Sequence, residues 1–207
     1  MRASLIDPYT LFASASLSFT QITTYLGTTA AVTLTSVADG DLAIFALGVT
    51  SPPAPPSTPS GWTSYGVSGA EPLVKIVGKV ISGDTTLPTS TNRGQACGVL
   101  FRPSKAITSV TAVDFGGQTT AVQPSQRTVT PSGSSPIIIL AGAWGLNGAT
   151  SFSTASPAFD GTNTRASGTP DLSFGWKLYN GSTSAHNIRP NDSGSYNAFC
   201  TGYIRVA

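Results

Sequence analysis

The stretch Leu42-Ala43-Ile44-Phe45-Ala46-Leu47-Gly48-Val49 is apolar at every position. A β-strand has this character when both of its faces are buried. Directly before it, the segment 37–41 contains Asp39-Gly40-Asp41, which is a turn signal. A second stretch of the same kind, Ile137 to Trp144, follows later in the chain. The sequence therefore predicts two central strands, each buried on both faces.

Further strand signals lie on both sides of these two stretches. They cover residues 31–35, 73–81, 95–102, 110–115, 172–179 and 197–206, and a Gly116-Gly117 turn is predicted to lead into a strand through Val122. This makes eight to ten strands and no convincing helix. The pattern predicts an all-β fold: a two-sheet antiparallel sandwich with jelly-roll or Greek-key connectivity. Because no repeat at a fixed period is visible, a propeller or a β-helix is disfavoured.

The composition agrees with a β-rich, turn-rich chain. Of 207 residues only 10% are charged, whereas 27 are Ser, 28 are Thr, 22 are Gly and 15 are Pro. These values argue against a helical bundle, a coiled coil and a doubly wound α/β enzyme. An apolar content of 40% with a net charge of +2 argues equally against disorder.

Charge and hydropathy exclude several classes of partner. The eleven basic residues are spread thinly and form no cluster of three, so the sequence predicts no nucleic-acid partner. No apolar run approaches the roughly 18 residues of a membrane span, and the first eight residues do not resemble a signal peptide. We therefore expect a soluble protein, synthesised in a cytoplasm, with no membrane partner.

The residue types that carry most hydrolytic and metal chemistry are scarce. The chain has one histidine, His186, which is expected to be exposed or at a strand edge, and one glutamate, Glu71. The G-x-S-x-G, G-x-G-x-x-G and G-x-x-x-x-G-K motifs are absent. Cys97 and Cys200 are expected to be small buried residues on neighbouring strands, bonded only if the chain meets an oxidising compartment. The sequence predicts no enzyme, no cofactor and no metal site.

A proline-rich stretch, residues 51–61, separates two of the predicted strands. We expect a stiff surface loop that faces outward and is pinned at its far end by Trp62 packing on the sandwich. Alternatively, exposed aromatic residues could form a platform on which sugar rings stack. The residues considered for that platform are Trp62, Tyr65, Tyr179, Tyr196 and Tyr203.

The N-terminal segment divides the chain in this interpretation. Residues 9–26 contain no Gly or Pro, and their many hydroxyl side chains favour a strand, although an apolar stripe at helical spacing is also present. We predict that residues 1–26 form an arm for attachment or subunit contact and that residues 27–207 form the sandwich. The candidate interaction residues are Leu11, Phe12, Leu17, Phe19, Trp62 and Tyr65.

The order of these features resembles a known class of proteins. Gly40-Asp41-Leu42 opens the first apolar strand, and the proline-rich loop closes on Pro59-Ser60-Gly61-Trp62-Thr63. A strand from Leu73 to Val80 and a strand ending in Phe101-Arg102 follow before the second apolar strand. Over residues 38–145 the chain is similar to β-sandwich proteins encoded in the structural gene clusters of tailed phages and prophages.

That resemblance implies a virion component: a capsid decoration (cement) protein, a head fibre, or a tail-fibre-like module. It carries no catalytic residues. Its implied partners are other virion proteins, such as major capsid or tail proteins, in a homotrimer at the virion surface. The alternative function is a receptor- or carbohydrate-binding module that contacts a host surface glycan.

Overall fold

The computed structural model describes residues 16–49, 54–69, 73–120, 123–133, 136–145, 151–152, 155–165, 170–179, 184–191 and 197–207. Fourteen strands lie within these ranges. They are β1 (Phe19–Gly27), β2 (Val32–Thr33), β3 (Leu42–Val49), β4 (Thr63–Val67), β5 (Val74–Val80), β6 (Thr86–Leu87), β7 (Arg93–Pro103), β8 (Val110–Thr120), β9 (Arg127–Val129), β10 (Ile137–Gly145), β11 (Gly161–Arg165), β12 (Asp171–Tyr179), β13 (His186–Ile188) and β14 (Asn197–Val206).

The predicted all-β fold, a two-sheet antiparallel sandwich, is confirmed, but the predicted jelly-roll connectivity is not found, because each sheet is built from one continuous half of the chain. One five-stranded sheet has the order β1-β7-β3-β5-β4, and the other has the order β11-β12-β10-β14-β8. All pairings within the two sheets are antiparallel, and the sheets pack face to face as a sandwich. The described residues include no helix with the length and apolar character needed to cross a membrane.

The two apolar stretches are the central strands β3 and β10, and every residue in both is buried. Alternate side chains of each strand, such as Ile44 and Leu140, face the space between the sheets. The intervening side chains, such as Phe45 and Ile139, face outward. The outer face of each sheet is covered by a two-stranded ribbon, β2–β6 on the first sheet and β9–β13 on the second. Both faces of each central strand are therefore dry.

The fold contains an internal repeat that is not visible in the sequence. Strands β1–β7 and β8–β14 form two halves of seven strands each. When the strands of each half are numbered from one to seven, both sheets have the order fourth, fifth, third, seventh, first. In both halves the second and sixth strands form the covering ribbon. The chain is thus built from two copies of one topology, packed sheet to sheet.

The two halves also match residue by residue on their last strands. Cys97 and Cys200 lie at corresponding positions, opposite the third strand of their own half, and both side chains enter the core between the sheets. Five residues further on, Arg102 lies opposite Thr20, and Arg205 lies opposite Thr111.

The ends of the halves are equivalent too. The backbone N–H of Ser104 donates to the carbonyl of Ser18 at 2.9 Å, and that of Ala207 donates to the carbonyl of Ser109 at 3.0 Å. The first and last residues of each half are therefore hydrogen-bonded neighbours. The spacing between equivalent residues grows along the chain because the loops differ in length, which hides the repeat in the sequence.

Three sequence predictions are wrong in detail. Gly116-Gly117 is not a turn, because β8 runs through both residues and pairs with β14. The two cysteines are buried and free as predicted, but they lie on β7 and β14 of opposite sheets rather than on neighbouring strands. The predicted strand over residues 31–35 shrinks to the two residues of β2.

The boundary predicted between an arm and a sandwich at residues 26 and 27 falls inside a strand. β1 pairs with β7 of the same chain and is the outer strand of the first sheet, so Phe19–Gly27 belongs to the sandwich. Residues 1–15, the greater part of the predicted arm, lie outside the described residues.

Candidate interaction surface

The aromatic side chains predicted to contact partners are mostly buried. Trp62 is 7% exposed and packs edge-on against Phe45, with ring centroids 5.6 Å apart, on the outer face of the first sheet. Tyr65 is 8% exposed and stacks on Phe115 at 6.4 Å on the inner face. The structure therefore places these two residues on opposite faces of one sheet. The predicted pinning of the proline-rich loop by Trp62 is confirmed, although Pro56 and Pro59 of this loop are themselves buried.

The described part of the N-terminal segment also packs into the sandwich. Phe19 is buried and packs edge-on against Phe101 at 6.2 Å, and Leu17 lies half-buried against the same core. Leu11 and Phe12 lie outside the described residues. Of the other aromatic residues considered, Tyr203 is buried, Tyr179 is half-buried, and Tyr196 lies outside the described residues. The described residues do not form the exposed aromatic platform that sugar stacking requires.

The described carboxylates serve structural contacts. Four of them form ion pairs: Asp41 with Arg102, Asp84 with Lys79, Asp114 with Arg127, and Asp160 with Lys177. Asp41 is the buried member of this set, and both of its oxygens accept hydrogen bonds from the Arg102 guanidinium, at 2.9 and 2.8 Å. Within the described ranges, no three His, Cys, Asp or Glu side chains converge as metal ligands would.

His186 is fully buried, so the first of its two predicted alternatives, exposure, is wrong, whereas its position on a two-stranded ribbon agrees with the second, a strand edge. It lies on β13, packs against Phe159 with ring centroids 5.0 Å apart, and its Nε2 hydrogen-bonds to the carbonyl of Pro157. Its buried Nδ1 has no hydrogen-bond partner among the described residues. Burial is the main reason that the pKa of His186 is lowered from its ordinary value. The ring is therefore a neutral part of the outer core of the second sheet.

Acidification is expected to destabilise the protein through His186. A lowered pKa means that the unfolded chain binds a proton that the folded chain resists, so stability is full above about pH 6.5 and falls below it. Between pH 7.5 and 5.5 the loss is at most about 1.4 kcal/mol for one such proton. Urea unfolding at the two pH values measures it.

The matched variant for this measurement is His186→Gln, whose amide N–H can still donate toward Pro157. Because His186 is the only histidine in the sequence, this variant is expected to unfold with the same free energy at both pH values. A wild-type protein that is equally stable at pH 5.5 and 7.5 would contradict the argument.

Two clefts flank residues 104–109, the linker between β7 and β8 that joins the two halves. A cleft of about 460 Å³ lies between β4, β5 and the linker, and its polar lining includes Lys79, Thr108 and Ser109. A second cleft, of about 390 Å³, lies beside the Asp41–Arg102 ion pair on the other side of the linker. Both are open to solvent. Among the described residues that line the two clefts, no identified contact pairs a nucleophile with a base, the minimum for covalent or general acid–base catalysis.

The exposed apolar side chains lie on sheet edges. Among the described residues, the large hydrophobic side chains that are exposed are Leu26 on β1, at 49%, and Val67 on β4, at 39%. These strands are the two edges of the first sheet. Sequence reasoning missed both residues because exposure depends on which strand becomes an edge. The available signal was weaker: Phe19–Gly27 carries no charge and no proline.

Comparisons with known proteins add no assignment to this geometry. No protein-family model matches the chain, and neither a curated protein nor a solved structure matches it significantly.

Proposed function

We propose that the protein is a non-enzymatic structural component of a tailed-phage virion. In this proposal it is a capsid decoration (cement) or head-fibre protein that binds other virion proteins through β-rich surfaces. It is synthesised in the host cytoplasm and ends at the virion surface. The sequence resemblance over residues 38–145 motivates the assignment.

The observation that carries the proposal is the open edge of the first sheet. Both outer faces of the sandwich are covered by ribbons, so the strand edges are the backbone surfaces left for partners. β1 presents nine uncharged residues and an exposed Leu26 there. Such an edge suits a protein that binds other proteins. Its backbone groups can form hydrogen bonds with a partner's strand, and its uncharged side chains are removed from water at little cost in free energy.

The glycan-binding alternative has less support. It depends on exposed aromatic residues, and Trp62 and Tyr65 are both buried. A glycan array with the full-length protein tests this alternative directly. Binding of a defined host glycan, lost on replacing a half-buried or exposed aromatic residue, would favour it over the structural function.

Attachment to the particle is expected to need the start of the chain. A variant that lacks residues 1–12 keeps every described strand, because the first of them begins at Phe19. It is expected to fold with an unchanged melting temperature and to lose binding to particles assembled without this protein. Co-sedimentation with such particles measures binding, and the full-length chain is the positive control.

Two results would overturn this proposal. One is a shortened chain that still decorates particles at full occupancy, which would mean that residues 1–12 do not attach the protein to the particle. The other is a full-length chain that never binds particles from its own gene cluster, which removes the virion function altogether. Light scattering tests the trimer separately, since three copies of 21.1 kDa are expected in solution.

A further inference from the structure

The internal repeat supplies a comparison between two equivalent sheet edges. β1 and β8 are the first strands of their halves, and each pairs on one side with the last strand of its half. No other described strand pairs with either of them, so each presents an edge in the same topological position. If topology alone determined their properties, the two edges would be alike. They differ, however, in charge and in hydrogen bonding.

The edge at β8 is protected against pairing with another strand. Asp114 has a left-handed φ of 51°, and two residues of β8 there oppose one residue of β14, which makes a β-bulge. The Arg127 guanidinium donates to both the carbonyl and the carboxylate of Asp114, each at 2.8 Å. Next to this, the backbone N–H of Ser125 donates to the Gln118 side chain at 3.0 Å. A bulge, a charge pair and a covering loop are the features that block edge pairing.

The edge at β1 lacks the charged protection. Its nine residues include no charge and no proline, and Leu26 is half exposed. It has a bulge at Ile22, beyond which Thr23–Gly27 pairs regularly with β7. One of its carbonyls, that of Tyr25, accepts a hydrogen bond from Asn163 Nδ2 of the opposite sheet at 2.7 Å. This contact adds no charge to the edge. β1 is thus the edge of this pair that can accept an added strand.

The segment that could fill this edge lies in the same chain. Residues 1–18 precede β1 and have no counterpart in the second half, where only a short linker separates β7 from β8. Within them, Tyr9-Thr10-Leu11-Phe12-Ala13-Ser14-Ala15 carries no charge, no proline and no glycine. As a strand these seven residues would span about 23 Å, which fits within the roughly 30 Å of β1. Length and chemistry both suit the edge.

Residues 17 and 18, which connect the segment to β1, are anchored to the sandwich. Leu17 packs on the core between the sheets. Ser18 accepts from the Ser104 N–H at 2.9 Å and donates its own N–H to Ser104 Oγ at 3.0 Å. The chain is therefore held in line with β1 from Leu17 onward. A return of residues 9–15 onto the same chain's β1 would have to take its turn from the segment itself and so shorten the strand, whereas a second copy can pair with all seven residues.

We propose that residues 9–15 of one copy pair as an added strand with β1 of a second copy. This is β-strand addition between identical chains, in which backbone hydrogen bonds supply the affinity and the apolar side chains of the segment cover Leu26. Because the donor and acceptor surfaces differ, each contact is heterologous, and the rotation between copies determines whether the assembly is a closed ring or an open filament. The inference concerns self-association in solution and holds whether or not the protein decorates a virion.

Disulfide trapping between differently tagged full-length chains tests the pairing. Chains with Leu11→Cys are mixed with chains carrying Thr20→Cys or Thr24→Cys, two positions on β1 that sample the unknown register. The equivalent position on the protected edge, Thr111→Cys, is the matched control. Cys97 and Cys200 do not interfere, since both are buried and burial raises the pKa of each thiol to about 12. Cross-linking to β1 is expected to exceed cross-linking to Thr111→Cys by at least about tenfold, because pairing raises the local concentration.

Three outcomes would overturn the proposal. Equal cross-linking to β1 and to the Thr111→Cys control means that contacts are random. No cross-linking at either β1 position means that the segment does not reach this edge. A disulfide within one chain, in a Leu11→Cys, Thr24→Cys double variant that remains monomeric, means that the segment pairs with its own β1.

Charge at the edge provides a second test by light scattering. Leu26→Lys and Thr20→Lys place a cation on β1, and Thr111→Lys places one at the position on β8 equivalent to Thr20. Thr20 and Thr111 each lie opposite an arginine across the strand pair, so both threonine variants place a lysine beside a cation. The β1 variants are expected to become folded monomers and Thr111→Lys to keep the oligomer. A wild-type monomer, or an oligomer unaffected by Leu26→Lys, would contradict the inference.

Discussion

Replacing Arg93 with methionine is expected to lower the free energy of unfolding by about 4 kcal/mol. Arg93 is 1% exposed at the start of β7, and its guanidinium donates to backbone carbonyls on two separate connections. It contacts the carbonyls of Thr28 at 3.1 Å, Thr29 at 3.1 Å and Ala30, in the connection between β1 and β2. It also donates to the carbonyl of Pro88, just beyond β6, at 2.7 Å.

The size of this effect follows from what the variant leaves behind. Methionine fills much of the space but donates no hydrogen bond, so four partly buried carbonyls lose a donor. Because water can reach these carbonyls, each lost hydrogen bond is expected to cost only about 1 kcal/mol. Domains of this size are stable by only about 5–15 kcal/mol, so the loss is a large part of the total. Equilibrium urea unfolding followed by tryptophan fluorescence measures it.

Two control variants separate the hydrogen bonds from the charge. Arg93→Lys keeps the charge but presents its donors from one point, so we expect it to recover only part of the stability. Lys177→Met removes a cation from a partly exposed ion pair with Asp160 and is expected to cost no more than about 1 kcal/mol. An Arg93→Met protein as stable as Lys177→Met would show that the hydrogen bonds of the Arg93 guanidinium do not stabilise the fold.

The central strands could be predicted because the residue types within each strand are enough to indicate that both of its faces are buried. β3 matches the predicted apolar run Leu42–Val49 from end to end, and β10 extends the run that begins at Ile137 by one residue. A strand buried on both faces leaves no polar position, so no knowledge of its neighbours is needed to recognise it.

Arg93 and His186 could not be placed in the same way. Each is a polar residue whose burial depends on segments distant in the sequence: carbonyls from residues 28–30 for Arg93, and Pro157 for His186. Residue type alone predicts an exposed arginine and a partly exposed histidine. Only the fold brings the acceptors to them.

The repeat could not be recognised in the sequence for a related reason. The two halves share topology, register and a few positions, such as Cys97 with Cys200, but most equivalent residues differ in type. Core packing needs similar total volume and pattern rather than identity, so duplicated halves can diverge while the fold is kept. The divergence is informative at the edges, where a charged, bulged β8 corresponds to an uncharged β1.

Gly117 is where sequence reasoning and structure differ most sharply. A Gly-Gly pair between two strand-like stretches favours a turn, yet both residues lie inside β8. The reason for glycine is close approach. A Cβ at Gly117 would lie 2.0 Å from the carbonyl oxygen of Phe199 and 2.9 Å from the Cα of Ser68. β8 thus contacts backbone on two sides, in its own sheet and at the edge of the other sheet.

Gly117→Ala is therefore expected to destabilise the protein by about 3 kcal/mol, near the upper end for overpacking, because the clashing atoms are backbone rather than flexible side chains. The added methyl must separate β8 from β14 or push away Ser68, whose N–H and Oγ hold the β4–β5 connection through Val74 at 2.9 and 3.1 Å. Gly83→Ala is the control: Gly83 has a φ of 72°, but a methyl added there would meet no atom within 4 Å, so the expected cost is only about 1 kcal/mol of backbone strain. If both variants lose the same free energy in urea unfolding, close packing is not what requires glycine at 117, and the sandwich is looser at the β4–β8 edge than its backbone contacts imply.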